Sequence, residues 1–291
     1  MRITNQMMWM SSLRNLQANL AALSHAQDVA TSGKKLQIAS DNPPDASEVM
    51  NINSLLSDID QYQKNAQSAT TRLSTENVTL QSAVSLLNQV SELSLATQSA
   101  PVGDPTRVTA INQIAQIKSQ LVALGNTQVG DVYIFGGSLT STPPFQSDGT
   151  YVGDSNAQKV QLEQGVQMDV NHTGDTVFTP VFQALDALTA QLQSGSSGQI
   201  AAAVTAFSSA KEQLLATQSD AGARVQTIQT TTTELGQRTQ TLLDRRSALT
   251  DADPTESVLD VTSAQNALEQ AYAVTGKVLS TNLLDYLNTL R

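Results

Sequence analysis

Most of the chain places its apolar residues three or four positions apart, which is the spacing of an amphipathic α-helix. The last segment, Pro254 to Arg291, has one apolar line that includes Val261 and Leu268, and polar residues occupy the opposite side. No proline interrupts this segment after Pro254, so it predicts a single helix, roughly 50 Å long at 1.5 Å per residue. A helix with one apolar line must bury that line against another surface.

The first segment mirrors the last one. Ile3, Leu13 and Leu23 belong to an apolar line with the same spacing, and Gly33 stands where a helix commonly ends. Methionines near the start make this line adaptable in shape. The segment either packs onto its own domain as ordinary core or forms an interface with other chains.

A much longer helical pattern follows a polar loop that ends at Pro44. It runs from Asp45 to about residue 98, which exceeds the usual length of a helix in a globular protein. A shorter helix comes next, with Asp104 as its N-cap, Pro105 at its first position and Gly125 near its end. The length of the first pattern predicts a coiled-coil-like rod.

A second long pattern lies nearer the C-terminus. A helical stretch starts at Pro180, breaks at 194–198, and is followed by a helix from about 199 to 250. Its apolar line repeats every seven residues, through Ile200, Phe207, Leu214, Ala221, Ile228, Leu235, Leu242 and Leu249. Such a repeat predicts a gentle left-handed supercoil against a neighbouring helix.

The period changes from helical spacing to alternation between about 130 and 179. Residues 131–135 form a short β-type run, Asp148-Gly149 is a hairpin-type turn, and apolar residues alternate over 160–170 around a turn at Gly165. This region predicts a small, mostly antiparallel β-domain inserted between the long helices.

The predicted fold is therefore mainly α: a long antiparallel helical rod with a small inserted antiparallel β-domain. Five segments follow along the chain. They are a terminal helix and loop (1–44), the first half of the rod (45–129), the β-domain (130–179), the second half of the rod (180–250) and a C-terminal helix (251–291). Antiparallel pairing of the two rod halves brings the terminal helices together at one end.

Composition narrows the function classes. The formal net charge is −10, aromatic residues make up 4% of the chain, and it has no cysteine. The negative charge opposes binding to nucleic acid or to an anionic membrane, so we expect neither partner. The first thirty residues lack the pattern of a cleaved signal peptide, and no stretch approaches eighteen consecutive apolar residues.

Catalytic chemistry is hard to assemble from this sequence. The two histidines, His25 and His172, have no metal-ligand spacing, and we interpret each as an ordinary surface or interface residue. Asp251 and Asp253 form a capping and turn cluster in this interpretation. We therefore predict no catalytic, cofactor-binding or metal-binding residue, no cofactor and no enzymatic activity.

Several stretches of the sequence form a set when they are taken in order. They are Met1 to Thr4, Ser32 to Leu36 with Ser40 to Pro43, Tyr133 to Ser138 with Thr142 to Phe145, Tyr151 to Asp154 with Val166 to Val170 and Gly174-Asp175, Gly222 to Arg224, Asp251 to Leu268 and Leu283 to Leu287. Together they resemble the flagellin superfamily, and the closer match within it is the FlgL-type family of hook–filament junction proteins. One departure is the loop Asp41-Asn42-Pro43-Pro44-Asp45, where the superfamily more often has two aspartates, one proline and a small residue.

The resemblance implies a structural subunit that adapts the hook of a bacterial flagellum to its filament. Its implied partners are the first hook-associated protein, flagellin, copies of itself and a flagellar export chaperone. It also implies export through the flagellar type III channel without a cleaved signal, and a location outside the cell. The implied assembly interface is formed by Ile3, Met7, Met10, Leu13, Leu16, Leu20, Leu23, Val261, Leu268, Tyr272, Leu279, Leu283, Tyr286 and Leu290.

Two alternatives remain open at this point. The chain could be a flagellin, the bulk subunit of the filament, which would polymerise onto seeds into long filaments. It could also be a secreted adhesin or enzyme with a site in the β insertion. That second alternative requires a pocket in which His172, Asp175 and Asp154 converge.

Overall fold

The computed structural model describes residues 5–289, and it describes side chains for residues 7–277. In chain order the helices and strands are α1 (Asn5–Ser32), α2 (Pro43–Thr97), α3 (Pro105–Gly125), β1 (Gln128–Val129), β2 (Val132–Tyr133), β3 (Lys159–Glu163), β4 (Val166–Asp169), α4 (Gly174–Val177), α5 (Thr179–Ser194), α6 (Ser197–Thr250) and α7 (Pro254–Thr289). The predicted fold class, mainly α with a small antiparallel β insertion, is confirmed.

The helix boundaries follow local signals that the sequence displays. The Asp104 carboxylate accepts a hydrogen bond from the backbone N–H of Thr106 at 2.8 Å and caps α3, while Pro105 occupies the first turn. Helix α2 begins two residues earlier than predicted, at Pro43, because proline is tolerated in a first helical turn, where its missing N–H has no helical partner.

The β insertion is less regular than predicted. The predicted run 131–135 contributes only the two residues of β2, which pair with β1 in a hairpin around Gly130 (φ +62°). Residues Ile134 and Phe135 leave the strand because their side chains are fully buried in the helical core. The turn at Gly165 is confirmed, since it connects the paired strands β3 and β4.

Two further parts of the insertion differ from the prediction. Tyr151 makes a single antiparallel bridge to Phe145 around the turn at Asp148-Gly149, so no longer strand forms there. The short helix α4 was not predicted. It places Val177 and Phe178 in the core. This burial favours a helix at the end of the region 130–179, for which the sequence predicts β structure.

The chain divides into two compact units. Unit 1 is Met1–Leu56 together with Thr239–Arg291, and unit 2 is Ser57–Arg238. The five-segment organisation drawn from the sequence stays a prediction. In unit 1, α1 packs along α7, and the beginning of α2 is joined to the end of α6 by an ion pair between Glu48 and Arg245.

Unit 2 holds the main hydrophobic core. Buried aliphatic residues of α2, α3, α5 and α6 meet around Phe207, and an aromatic group from the insertion and α5 joins them. The rings of Phe135 and Phe178 meet edge-on with centroids 5.0 Å apart. A second, smaller cluster lies beneath the β3–β4 hairpin, where Leu162 and Val170 cover Leu73.

The seven-residue line of α6 is the inner face of that helix. Its members from Ile200 to Leu235 are buried, whereas Leu242 and Leu249 are half-buried. Within unit 2, Lys211 of α6 lies 3.3 Å from the Asn88 side-chain oxygen of α2. His172 bridges Glu76, which lies earlier in α2 than Asn88, and Asp220, which lies later in α6 than Lys211. The helices α2 and α6 therefore run antiparallel in this unit.

Candidate assembly interface

The first and last helices of the chain pack against each other in unit 1. Residues that are shielded from solvent recur every three or four positions in both helices, as in the seam of a coiled coil. In this seam α1 contributes Ser12, Leu16, Asn19, Leu23, Ala26 and Val29, and α7 contributes Ser257, Val261, Ala264, Leu268, Ala271 and Thr275.

The seam is narrow and partly polar. Only Ser257 and Thr275 are buried, and the other seam residues keep part of their surface in solvent. The Asn19 amide donates a hydrogen bond to the Ala267 carbonyl at 3.4 Å across the seam. A polar residue in such a position fixes the register of two helices at a cost in stability, so the pair buries little apolar surface by itself.

A short joint connects the ends of the two helices. Gly33 adopts the left-handed conformation (φ +67°) that ends α1, and its carbonyl accepts a hydrogen bond from the Ala252 N–H at 3.0 Å. The Lys35 N–H donates to the Thr250 carbonyl at 2.8 Å, which forms a small antiparallel bridge. Lys34 and Asp251 form an ion pair across the joint.

Asp251 is held as a carboxylate by its neighbours. The hydrogen bond from Lys34, followed by those from Ser247 and Thr250, lowers the pKa of Asp251 far below its ordinary value. The predicted capping role of Asp253 is confirmed, because its carboxylate accepts the Thr255 N–H at 2.7 Å at the start of α7. The joint therefore fixes where α7 begins relative to the end of α1.

The loop before α2 is organised by Asp41. Its carboxylate accepts backbone hydrogen bonds from Gln37 at 3.0 Å and from Ile38 at 2.9 Å. These two bonds, that of Ile38 first, lower the pKa of Asp41 below its ordinary value. Asn42, where the sequence departs from the superfamily pattern, still hydrogen-bonds the first turn of α2. Its side-chain amide donates to the Asp45 carboxylate, and its side-chain oxygen accepts the Asp45 N–H.

The structure separates the predicted interface residues into two sets. Leu16, Leu23, Val261 and Leu268 lie in the seam between α1 and α7. The second set points away from the seam and is exposed to solvent: Met7 (60%), Met10 (52%), Leu13 (39%), Leu20 (43%) and Tyr272 (53%). Leu279, Leu283 and Tyr286 lie in α7 beyond the described side chains, and Ile3 and Leu290 lie outside the described residues.

The sequence analysis missed further apolar residues on the same two helices. The exposed ones are Met8, Trp9, Val258, Leu259 and Val274. They fall beside the single line that we expected. Met8 and Trp9 adjoin the line residues Met7 and Met10, which was an available signal, whereas Val258 and Leu259 adjoin no residue of the line. We use the name outer surface for the exposed apolar residues of α1 and α7, comprising Met7, Met8, Trp9, Met10, Leu13, Leu20, Val258, Leu259, Tyr272 and Val274.

The groups required for a site in the insertion do not converge. The Ser138 hydroxyl donates a hydrogen bond to the Asp154 carboxylate, as do the Ser138 N–H at 2.7 Å and Asn156, and these bonds lower the pKa of Asp154 to about 2. His172 instead contacts Glu76 and Asp220, so of the two roles expected for it, surface or interface residue, it has the role of an interface residue between the insertion and the long helices. Glu76 and Asp220 are far from His172 in the sequence, and no local motif predicts these contacts.

The described part of the chain holds neither a metal-ligand cluster nor a membrane-spanning helix. Among residues 5–289, no group of three or more histidine, aspartate or glutamate side chains is placed to hold a metal ion. No helix within that range is long and apolar enough to cross a membrane.

The described residues thus define a class of protein: a long-helix subunit whose terminal helices pair through a weak seam and expose apolar residues. Two family models match the chain, the bacterial flagellin N-terminal helical region over residues 3–140 and the bacterial flagellin C-terminal helical region over residues 204–287. Together they cover well over half of the sequence. The chain belongs to the bacterial flagellin family.

Curated relatives give a finer comparison. The chain is 28% identical over 183 residues to flagellar hook-associated protein 3 of Escherichia coli (strain K12), a match covering 62% of this chain. It is also 28% identical over 186 residues to the protein of that name in Salmonella typhimurium, again over 62% of this chain. Both matches span 58% of the length of the relative.

Solved structures share the fold. A putative flagellar hook-associated protein from Vibrio parahaemolyticus superposes with a TM-score of 0.65 at 22% identity, covering 72% of this chain and 100% of that structure. FlgL from Bacillus cereus gives a TM-score of 0.59 at 24% identity, over 68% of this chain and 99% of that one. Because this is a family of flagellar structural proteins, membership argues against an enzyme.

Proposed function

We propose that this protein is a structural subunit at the junction between the hook and the filament of a bacterial flagellum. The observation that carries the proposal is the outer surface of the α1–α7 pair, where large apolar side chains stay exposed although the helices are already paired. The similarity to proteins named flagellar hook-associated protein 3 supports the junction location. The proposed partners are the first hook-associated protein, flagellin, an export chaperone and copies of this chain.

The assembly mechanism follows from the two sets of interface residues. The seam residues hold α1 to α7 within one subunit, and the outer surface then packs against neighbouring subunits. Single exposed apolar residues are normal on a protein surface, but a concentration of large ones on one helix pair is typical of a surface that contacts other chains. Head-to-tail contacts that do not close into a ring would place the same surface against the next copy along a helical array.

An electron-microscopy experiment tests the location. A short epitope tag is inserted at the Gly165 turn of the β3–β4 hairpin, and isolated flagella are labelled with gold-conjugated antibody. A junction subunit gives one narrow band of label between hook and filament. Label along the whole filament would contradict the proposal and indicate a flagellin, and no label on flagella would reject both.

A deletion experiment separates the same alternatives by a different readout. Cells that lack a junction subunit should keep their hooks and release flagellin into the medium, because filament growth has no base. Cells that lack a flagellin should release none of it. Recovery of normal filaments by cells without this chain would overturn the proposed function.

A further inference from the structure

Helix α2 carries one acidic residue in its buried line. From Ala66 to Val90 buried positions recur every three or four residues, and Glu76 is the one charged residue among them. The Glu76 side chain has no exposed surface, and its Oε2 atom has no hydrogen-bond partner. A carboxylate in such a place is costly unless a positive group compensates for its charge.

His172 of the insertion is the group that meets this carboxylate. Its Nδ1 atom lies 2.5 Å from Glu76 Oε1, and its Nε2 atom lies 2.9 Å from Asp220 Oδ2 on α6. An ionised carboxylate only accepts hydrogen bonds, so both ring nitrogens must donate, and a neutral imidazole has one N–H only. With both carboxylates ionised, these two contacts fit the doubly protonated, cationic ring.

The remaining charged groups around His172 come from three elements. On α6, the Arg224 Nε lies 2.6 Å from Asp220 Oδ2, and a second Arg224 nitrogen donates to the Asp169 carbonyl of β4 at 2.8 Å. On α2, Arg72 lies one turn before Glu76 and donates to the Ile134 carbonyl at 3.0 Å. Asp220 is thus shared by two cations, whereas Glu76 receives its hydrogen bond from His172.

We propose that His172 is a proton-operated latch, which in its cationic form fastens the β3–β4 region to α2 and α6 and which releases as the pH rises. Loss of one proton leaves a ring-nitrogen lone pair facing a carboxylate oxygen, either at Glu76 or at Asp220. The attraction at that contact then becomes a repulsion. No other element needs to move for the latch to open.

The direction of the effect follows from the environment of the ring. Burial by itself would lower the pKa of His172, but the hydrogen bond and charge of Glu76, together with Asp220, raise it above 6.5. The folded-state pKa therefore exceeds the unfolded-state pKa. The stabilisation is fully present below about 6.5 and is lost as the pH rises through the higher, folded-state value.

The opening should be local. Strand β3 and the residue after β4 supply Leu162 and Val170 to the small cluster that covers Leu73, and this cluster is separate from the main core of unit 2. Release of His172 loosens those contacts first. The core around Phe207 has no titratable partner in the latch and should stay closed.

Nuclear magnetic resonance of the full-length protein, labelled with ¹⁵N-histidine, tests the protonation state directly. The chain has two histidines, so the variant His25→Gln assigns both signals. We expect both His172 nitrogens to carry protons at pH 6.5 and the ring to titrate above that pH. Titration of His172 at or below 6.5 would overturn the proposal.

Hydrogen exchange tests the release. Protection factors of β3 and β4 amides should fall as the pH rises, by up to tenfold for each unit that separates the two pKa values, while α6 amides near Phe207 keep theirs. In Asp220→Asn the side-chain amide can donate to a neutral ring, so the fall should become smaller and end at a lower pH. An unchanged profile in Asp220→Asn, or the same fall in His172→Gln, would refute the latch.

Discussion

The substitution Leu20→Asp tests the role of the outer surface without changing a seam residue. Leu20 lies on α1 between the seam residues Leu16 and Leu23, yet 43% of its surface is exposed in the α1–α7 pair. If neighbouring subunits cover the outer surface, this exposed share becomes buried on assembly. A charge at this position should therefore leave the subunit folded and prevent it from assembling.

The magnitude can be worked from that exposure. Full burial of a leucine side chain stabilises by about 1.5–3 kcal/mol, so the exposed 43% of Leu20 represents about 1 kcal/mol per contact. Burying a carboxylate without a partner adds at least about 2 kcal/mol. The sum, about 3 kcal/mol, weakens each contact more than a hundredfold, whereas the lower helix propensity of aspartate costs the subunit only about 0.7 kcal/mol.

The assay is complementation of a strain that lacks this chain, with swimming, exported protein and filament number measured together. Ala22→Asp is the matched control, because Ala22 is exposed, lies two residues away around the same helix and loses a similar helix propensity. We expect Leu20→Asp to be exported without filament growth, and Ala22→Asp to behave as wild type. Normal filaments on cells with Leu20→Asp would refute the assignment of the outer surface.

Three further predictions concern the subunit itself. Phe207→Ala should lower the free energy of unfolding of unit 2 by about 3–5 kcal/mol in urea, because the ring is fully buried in the main core. Asp104→Ala should lower the urea midpoint in the same assay, with Asp104→Asn close to wild type, since either oxygen can cap α3. Asp251→Asn should flatten the acid side of the stability profile: the lowered pKa of Asp251 means that its contribution is present above about 3.8 and is lost as the pH falls below it. Thermal unfolding of both proteins from pH 7 to 2 measures this, and parallel profiles would contradict the role of the Lys34–Asp251 pair.

Much of the fold could be predicted because the signals that start, end and orient a helix lie within its own stretch of sequence. The Asp104-Pro105 start of α3 and the seven-residue line of α6 depend on residues close together in the chain, and both predictions are confirmed. Short strands do not carry such signals. Ile134 and Phe135 look like strand residues, but they are drawn into the helical core by contacts with residues far along the chain.

The candidate site was predictable in part. Apolar spacing identified α1 and α7 as helices with one apolar line, but it could not separate Leu16, which faces α7, from Leu20, which does not. That separation depends on the register between two helices that lie at opposite ends of the sequence. The latch was harder still, because Glu76, His172 and Asp220 come from three elements with no motif in common.

The joint between Gly33 and Ala252 has a consequence for quality control. It links two helices that are separated by most of the sequence, so the loop that it closes is long and its contacts form late in folding. A chain that is truncated before Ala252 cannot form this joint and presents no α1–α7 pair to its neighbours. Incorporation into an array would then select for full-length chains, and truncated copies would be left out without any separate inspection step.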